Sequence, residues 1–413
     1  MYGMRLRRCL VGLTAVALTV GGAVGCSARQ STDATIDVDA AVALADQPVQ
    51  VRVSGLHAGE TATVASHAVD AGGTRWSGEA TFEADGAGVV DLARSAPVSG
   101  TYTGVDGMGL FWSMQPATGD REGAWFSPDY PDAAGAYEVR LSVTAAGQEI
   151  AARTVTRQWL APGVTHRALT LGADGLAGVL FLPAAGAVRR AGVLVLGGSE
   201  GGIGGRYDAA LFASHGHPAL ALGYFGAPGL PEALSDIPLE YFAAAARLLR
   251  GQPGADPGGV IVNGYSRGSE AALLLAQSFP DLVRGTILYA PSDSVWSGYP
   301  KHDNAWTIGG APVPQGEIPV TRVRGPVLTI AGGDDEVWPA AEQARRIMQR
   351  LDDADVSAAH QNLIYPDAGH GVGSFPYVAA GTVFRASAMG GTRQANAAAR
   401  SDGWPKVLAF VAA

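Results

Sequence analysis

Two pentapeptides of the 413-residue chain fit the pattern G-x-S-x-G: Gly197-Gly198-Ser199-Glu200-Gly201 and Gly264-Tyr265-Ser266-Arg267-Gly268. Each follows a short apolar run. A serine in this setting can attack a carbonyl, because flanking glycines let a strand and a helix approach closely on either side of a tight turn. A serine hydroxyl is a weak nucleophile unaided. It needs a general base within hydrogen-bond reach and a third group that orients the base. Downstream of Ser266 the chain supplies such a set in order. Gly332-Gly333-Asp334-Asp335 follows the apolar run 327–330, and Pro366-Asp367-Ala368-Gly369-His370 follows the run 361–365. Of the eight His, only His370 lies beyond the last run.

The chemistry assigns roles. Ser266 is the nucleophile. His370 takes its proton and returns it to the leaving group, and a carboxylate holds the imidazole in the right tautomer. Asp335 is preferred to Asp334 as that carboxylate, because it stands four residues before Pro339, which opens the next helix. For either Asp the alternative is to cap that helix. The Arg267 N–H, together with a loop N–H near Gly198 or Ser199, is expected to hold the oxyanion of a tetrahedral intermediate. Removing one such donor costs about 3–4 kcal/mol in comparable enzymes. The expected set is therefore Ser266, Asp335 and His370, with Arg267 and Gly198 as oxyanion donors.

These residues need elements to position them. Continuous apolar runs at 191–196, 219–222, 259–262, 286–289 and 327–330 suit strands buried on both faces. Helical segments lie between them at 238–250, 269–278 and 340–351. This alternation predicts a doubly wound, mostly parallel sheet over residues 161–413. The order serine, two strands to the acid, one more to the histidine is that of an α/β-hydrolase fold. It selects Ser266 over Ser199, which falls after the third strand, where such folds place an oxyanion loop. Residues 48–160 differ. Runs such as Val49-Gln50-Val51-Arg52-Val53 alternate apolar and polar residues between Gly, Asp and Pro turns. They predict an immunoglobulin-like antiparallel β-sandwich ahead of the hydrolase domain.

Composition narrows the partners. The formal charge is −9, and only Lys301 and Lys406 are lysines, so no basic face for nucleic acid is expected. The loop 197–205 lacks both the dinucleotide fingerprint and a P-loop Lys, and no His, Asp and Glu set has metal-ligand spacing, so neither cofactor nor metal is expected. Both cysteines, Cys9 and Cys26, lie near the start. Arg5, Arg7 and Arg8 precede an uncharged apolar run at 9–24, the pattern of a secretory signal. Its end, Ala23-Val24-Gly25-Cys26, resembles a bacterial lipobox. The expectation is a signal peptide over 1–25, lipidation at Cys26, a tether over 26–47, and an exported protein held at the outer face of the membrane by its lipid alone. Cleavage would remove three Arg and no acid, taking the charge from −9 to −12.

With its motifs placed, residues 47–413 resemble the acyl-CoA thioesterase and bile acid-CoA:amino acid N-acyltransferase family. Gly55-Leu56, Thr74-Arg75-Trp76 and the run from Gly100 to Pro116 are similar to its N-terminal sandwich. Gly264-Tyr265-Ser266-Arg267-Gly268-Ser269-Glu270 resembles its nucleophile turn, and Asp334-Asp335-Glu336-Val337-Trp338-Pro339 its acid loop. Tyr365-Pro366-Asp367-Ala368-Gly369-His370 resembles its histidine loop, and the stretch from Gly390 to Phe410 its closing helix. The resemblance implies Asp335 as the acid and an acyl thioester, such as an acyl-CoA, as substrate. Amide-forming members carry Cys at the nucleophile position, whereas hydrolytic members carry Ser or Cys, so Ser266 implies hydrolysis. The alternatives are an exported carboxylesterase or acyltransferase on the same scaffold, and a binding lipoprotein on an inactive hydrolase fold.

Overall fold

The alternation of the N-terminal half becomes two packed sheets. In strand Thr61–Val69 the buried residues are Ala62, Val64, Ser66 and Ala68, every second position, as in a sheet packed on one face. This strand sits in a sheet ordered Val42–Leu44, Gln148–Gln158, Ala136–Ala145, Thr61–Val69, Arg75–Glu83, Ser99–Gly100. The facing sheet pairs Thr35–Val38, Val51–Ser54 and Val90–Asp91. The computed structural model describes residues 34–413, so the signal at 1–25 and Cys26 lie outside the described residues. The tether expected over 26–47 is corrected from Thr35 onward. Thr35–Val38 and Val42–Leu44 are strands, with Ile36, Ala43 and Ala45 buried. Small polar composition masked an alternation that two sheets can bury.

Eight strands form the sheet of the second half: β1 (Thr165–Leu169), β2 (Ala177–Leu182), β3 (Arg190–Leu196), β4 (Ala219–Gly223), β5 (Ala255–Tyr265), β6 (Val283–Tyr289), β7 (Val327–Gly332) and β8 (Gln361–Tyr365). Their spatial order is β1-β2-β4-β3-β5-β6-β7-β8. The β1–β2 and β2–β4 pairs are antiparallel, and the other pairs are parallel. This is the α/β-hydrolase arrangement. Helices α1 (Arg206–Ser214), α2 (Leu239–Arg250), α3 (Arg267–Ser278), α4 (Ala340–Asp353) and α5 (Arg393–Ala412) cover the sheet. Alternate side chains serve two cores. Val193, Val195, Ile261 and Ile287 pack with α1 and α5, whereas Leu194, Leu196, Val260 and Val262 pack with α2 and α3. Strand order reverses at β3, which lies between β4 and β5. Loops leaving β3 and β5 diverge there and open a crevice, the usual place for a site in such sheets.

Residues 34–413 all fall in one compact unit. Its larger apolar cluster runs without a break from sandwich residues such as Val64 and Phe82 to Val195 and Tyr289. Tilted and edge-on rings carry the junction: Tyr137 to Trp159 at 5.4 Å, Trp159 to Tyr207 at 4.5 Å and Trp159 to Phe375 at 5.3 Å. One carboxylate ties the layers together. Asp46 Oδ2 accepts from Trp404 Nε1 on α5 at 2.7 Å and lies 2.6 Å from His215 Nε2 at the end of α1. Asp46→Ala strips the buried Trp404 N–H of its acceptor. The expected loss is about 1–3 kcal/mol of stability, read as a lower urea midpoint at unchanged m-value. An unshifted midpoint would show that the junction does not need this carboxylate.

Candidate active site

Ser266 ends β5 and opens α3. Its φ of 53° and ψ of −120° form a backbone state that a non-glycine residue adopts only where its surroundings impose it. Close approach imposes it here. A Cβ at Gly264 would stand 2.3 Å from the Gly268 carbonyl oxygen, and one at Gly268 would stand 2.3 Å from that of Gly197. Strand, helix and the loop after β3 thus meet across positions without side chains. The Ser266 N–H donates to Tyr289 O at 2.9 Å, fixing the turn to β6.

His370 begins a single turn beyond β8. Its N–H donates to Met389 O at 2.7 Å, the preceding Gly369 N–H donates to Asn396 Oδ1 at 2.7 Å, and its carbonyl accepts from the Tyr265 hydroxyl at 3.1 Å. The Tyr265 and Trp338 rings flank the imidazole at 5.3 and 5.4 Å. So held, Nε2 lies 2.9 Å from Ser266 Oγ and Nδ1 lies 2.7 Å from Asp335 Oδ2. The other Asp335 oxygen accepts from the N–H groups of Val337 (2.9 Å) and Trp338 (3.2 Å). Asp334 turns outward and accepts from the Gly391 N–H at 3.1 Å. The structure therefore brings Ser266, His370 and Asp335 together, buried, and leaves Asp334 aside.

The expected oxyanion donors fare differently. The Arg267 N–H is the first of α3 and has no acceptor within its helix. Its guanidinium turns away, donating to Ser297 O at 2.9 Å and lying 3.0 Å from Glu270 Oε1. The second donor is corrected. The Gly198 N–H is engaged, donating to Glu200 Oε1 at 3.0 Å, although a Cβ at Gly198 would be only 3.1 Å from Ser266 Cβ. Sequence reasoning passed over Glu200. The loop folds it back through Gly201 and Gly202, both at φ 74°, and only an acid among glycines signalled it. Burial raises the Glu200 carboxyl above the usual carboxylate range, with its own and the Gly198 N–H, Arg385 and His370 opposing. Ser199 lies on the wall of the same cavity.

That cavity, about 500 Å³, runs from Ser266 between the two halves of the chain, past Trp125, Trp159, Tyr207, Phe375 and Val378. A wall dominated by aromatic and apolar side chains with a few polar groups suits an acyl chain. Among the described residues, no three His, Cys, Asp or Glu gather as metal ligands, and no helix is long and apolar enough to cross a membrane.

Glu270, behind the turn, also escaped the sequence reading. It is fully buried, and its Oε2 accepts from Trp306 Nε1 at 2.9 Å and from the Trp296 N–H at 3.4 Å. Burial pushes its carboxyl from 4.5 up to about 7, against the pull of Arg267. A raised carboxyl favours the fold fully below pH 4.5, and that contribution is lost as pH rises through about 7. Between pH 5 and 8 the wild type should therefore lose about 2 kcal/mol more stability than Glu270→Gln. Parallel urea titrations across that range provide the check, and identical pH slopes would contradict it.

Comparison with known proteins follows the same outline. Residues 46–170 match the family model for the acyl-CoA thioester hydrolase/BAAT N-terminal region, and residues 301–413 match the BAAT/acyl-CoA thioester hydrolase C terminal. Acyl-coenzyme A thioesterase 6 of Mus musculus is 30% identical over 398 residues, covering 88% of this chain and 93% of its own. Acyl-coenzyme A amino acid N-acyltransferase 1 of Mus musculus is 28% identical, covering 89% and 94%. Peroxisomal succinyl-coenzyme A thioesterase of Mus musculus is 28% identical, covering 88% and 93%. The likeness spans both domains and nearly the whole length of each relative, and on it the chain belongs to the acyl-CoA thioester hydrolase/BAAT family.

Proposed function

We propose that this protein hydrolyses acyl thioesters, of the acyl-CoA class, through an acyl-serine intermediate on Ser266. The observation that carries this reading is the unbroken relay from Asp335 through His370 to Ser266 at the mouth of an apolar cavity. His370 Nε2 accepts the Ser266 proton as Oγ attacks the thioester carbonyl, and Asp335 stabilises the imidazolium that forms. The Arg267 N–H and the Ser199 N–H receive the oxyanion. The imidazolium then gives its proton to the departing thiolate. Water, deprotonated by the same His370, cleaves the acyl-enzyme and regenerates Ser266. The relatives include both thioesterases and N-acyltransferases by name. Hydrolysis is preferred because a buried serine-histidine pair needs only water to complete the cycle.

Labelling with a fluorophosphonate should modify Ser266, and Ser266→Ala should abolish both the label and turnover of palmitoyl-CoA. Asp335→Asn should lower kcat by about 10⁴-fold, whereas Asp334→Asn should stay near wild type. Folded protein that takes no label would rule out the mechanism. A second reading, an exported carboxylesterase or acyltransferase, is favoured by the signal-like N-terminus and the acidic, lysine-poor composition. A kcat/KM for p-nitrophenyl esters about a hundredfold above that for CoA thioesters, or about 2.7 kcal/mol of transition-state preference, would select it. The proposed location is the outer face of the membrane, with the lipid on Cys26. Palmitate incorporation lost in Cys26→Ser would support that address, and equal incorporation would refute it.

A further inference from the structure

The loop after β3 carries a carboxyl outside the relay that bonds the loop's own backbone beside Ser266. Tyr224 packs against Phe242 and Trp306 in the core under α2 and α3. Its hydroxyl reaches Gly197 O at 2.6 Å and Gly198 O at 3.1 Å, so both carbonyls face that core. In a trans peptide the N–H points opposite to the preceding carbonyl. The N–H groups of Gly198 and Ser199 therefore face away from it. Glu200 Oε1 accepts the first at 3.0 Å. Among the described residues the second has no acceptor. The carboxyl is enclosed by its own loop: a Cβ at Gly204 would stand 2.6 Å from Oε1, and one at Gly198 would stand 3.0 Å from Oε2. Two further bonds fasten the loop, from the Gly202 N–H to Phe225 O at 2.8 Å and from Arg385 Nη2 to Glu200 O at 3.1 Å.

We propose that Glu200 is a positioning residue for the reaction at Ser266: by holding the Gly198 N–H it fixes the 198–199 peptide, so that the Ser199 N–H meets the oxyanion. The inference rests on reading Ser266 as the nucleophile. As Oγ bonds to the carbonyl carbon, the π pair moves to the carbonyl oxygen and His370 holds the proton. That new charge is stabilised best by donors already in place. A neutral carboxyl serves as well as a carboxylate, because its carbonyl oxygen accepts from the same N–H. Burial favours the neutral form, which sets no negative charge beside the oxyanion.

With palmitoyl-CoA as substrate, Glu200→Ala should lower kcat by about 10²-fold and leave KM within about twofold of wild type. Glu200→Gln, whose amide oxygen can accept from the Gly198 N–H, should recover most of the loss. A dodecyl trifluoromethyl ketone adds to the serine and sets an oxyanion in the same place. Its inhibition constant should rise by about the same 10² factor in Glu200→Ala. The matched methyl ketone, which binds without adding, should bind both proteins alike. A role in loop stability alone would weaken both ketones and raise KM together. Circular dichroism confirms that each variant is folded. Turnover of Glu200→Ala at or above the wild-type rate, equal damage from Glu200→Gln, or equal weakening of both ketones would overturn the proposal. Wild-type protein that forms no adduct with the trifluoromethyl ketone would instead remove the reading of Ser266 as nucleophile, and this inference with it.

Discussion

The site depends on a serine backbone held where serines do not ordinarily rest. Ser266 keeps φ 53° because β5, α3 and the loop after β3 approach within a distance that only Gly264 and Gly268 permit. That contact points Oγ away from the sheet and leaves the first N–H of α3 free of a helical acceptor. The remaining active-site geometry is arranged around this turn. The loops after β7 and β8 deliver Asp335 and His370 to it, and the chain around Met389 and Asn396 clamps the histidine loop from behind.

The sandwich is part of the catalytic cavity as well as a neighbour of the hydrolase sheet. Trp125 and Trp159 line it, and the ring contacts through Tyr137, Trp159, Tyr207 and Phe375 join both cores. Apolar area removed from water stabilises such a junction at roughly 25 cal/mol per Å². The oriented bonds to Asp46 add direction that burial alone lacks. A cavity between two domains takes its shape from both, so its lining is set by residues far apart in sequence.

Three carboxyls surround the site without belonging to the relay: Glu200, Glu270 and Asp208. Burial raises each one, Asp208 to about 6 and Glu270 to about 7. The common cause is a poorly hydrated surrounding that disfavours charge. The Asp335 side chain is buried as well, accepts from two backbone N–H groups and faces the imidazole.

The runs at 191–196, 219–222 and 327–330 emerged as β3, β4 and β7 because strands buried on both faces must be apolar throughout. Chain order then separated Ser266 from Ser199, since the positions of acid and base along the sheet follow from strand count. The strands at Thr35–Val38 and Val42–Leu44 were concealed because small, polar residues read as linker until a partner sheet buries every second one. Glu200 and Glu270 were concealed because their significance lies in what folds against them. The sequence by itself picked out Ser266 and His370 as candidate nucleophile and base and a mostly parallel, doubly wound sheet, since these follow from residue type and linear spacing. Only the tertiary structure decided between Asp334 and Asp335, engaged the Gly198 N–H, and set Asp46 against Trp404, because those outcomes depend on backbone turns and on contacts between residues distant along the chain.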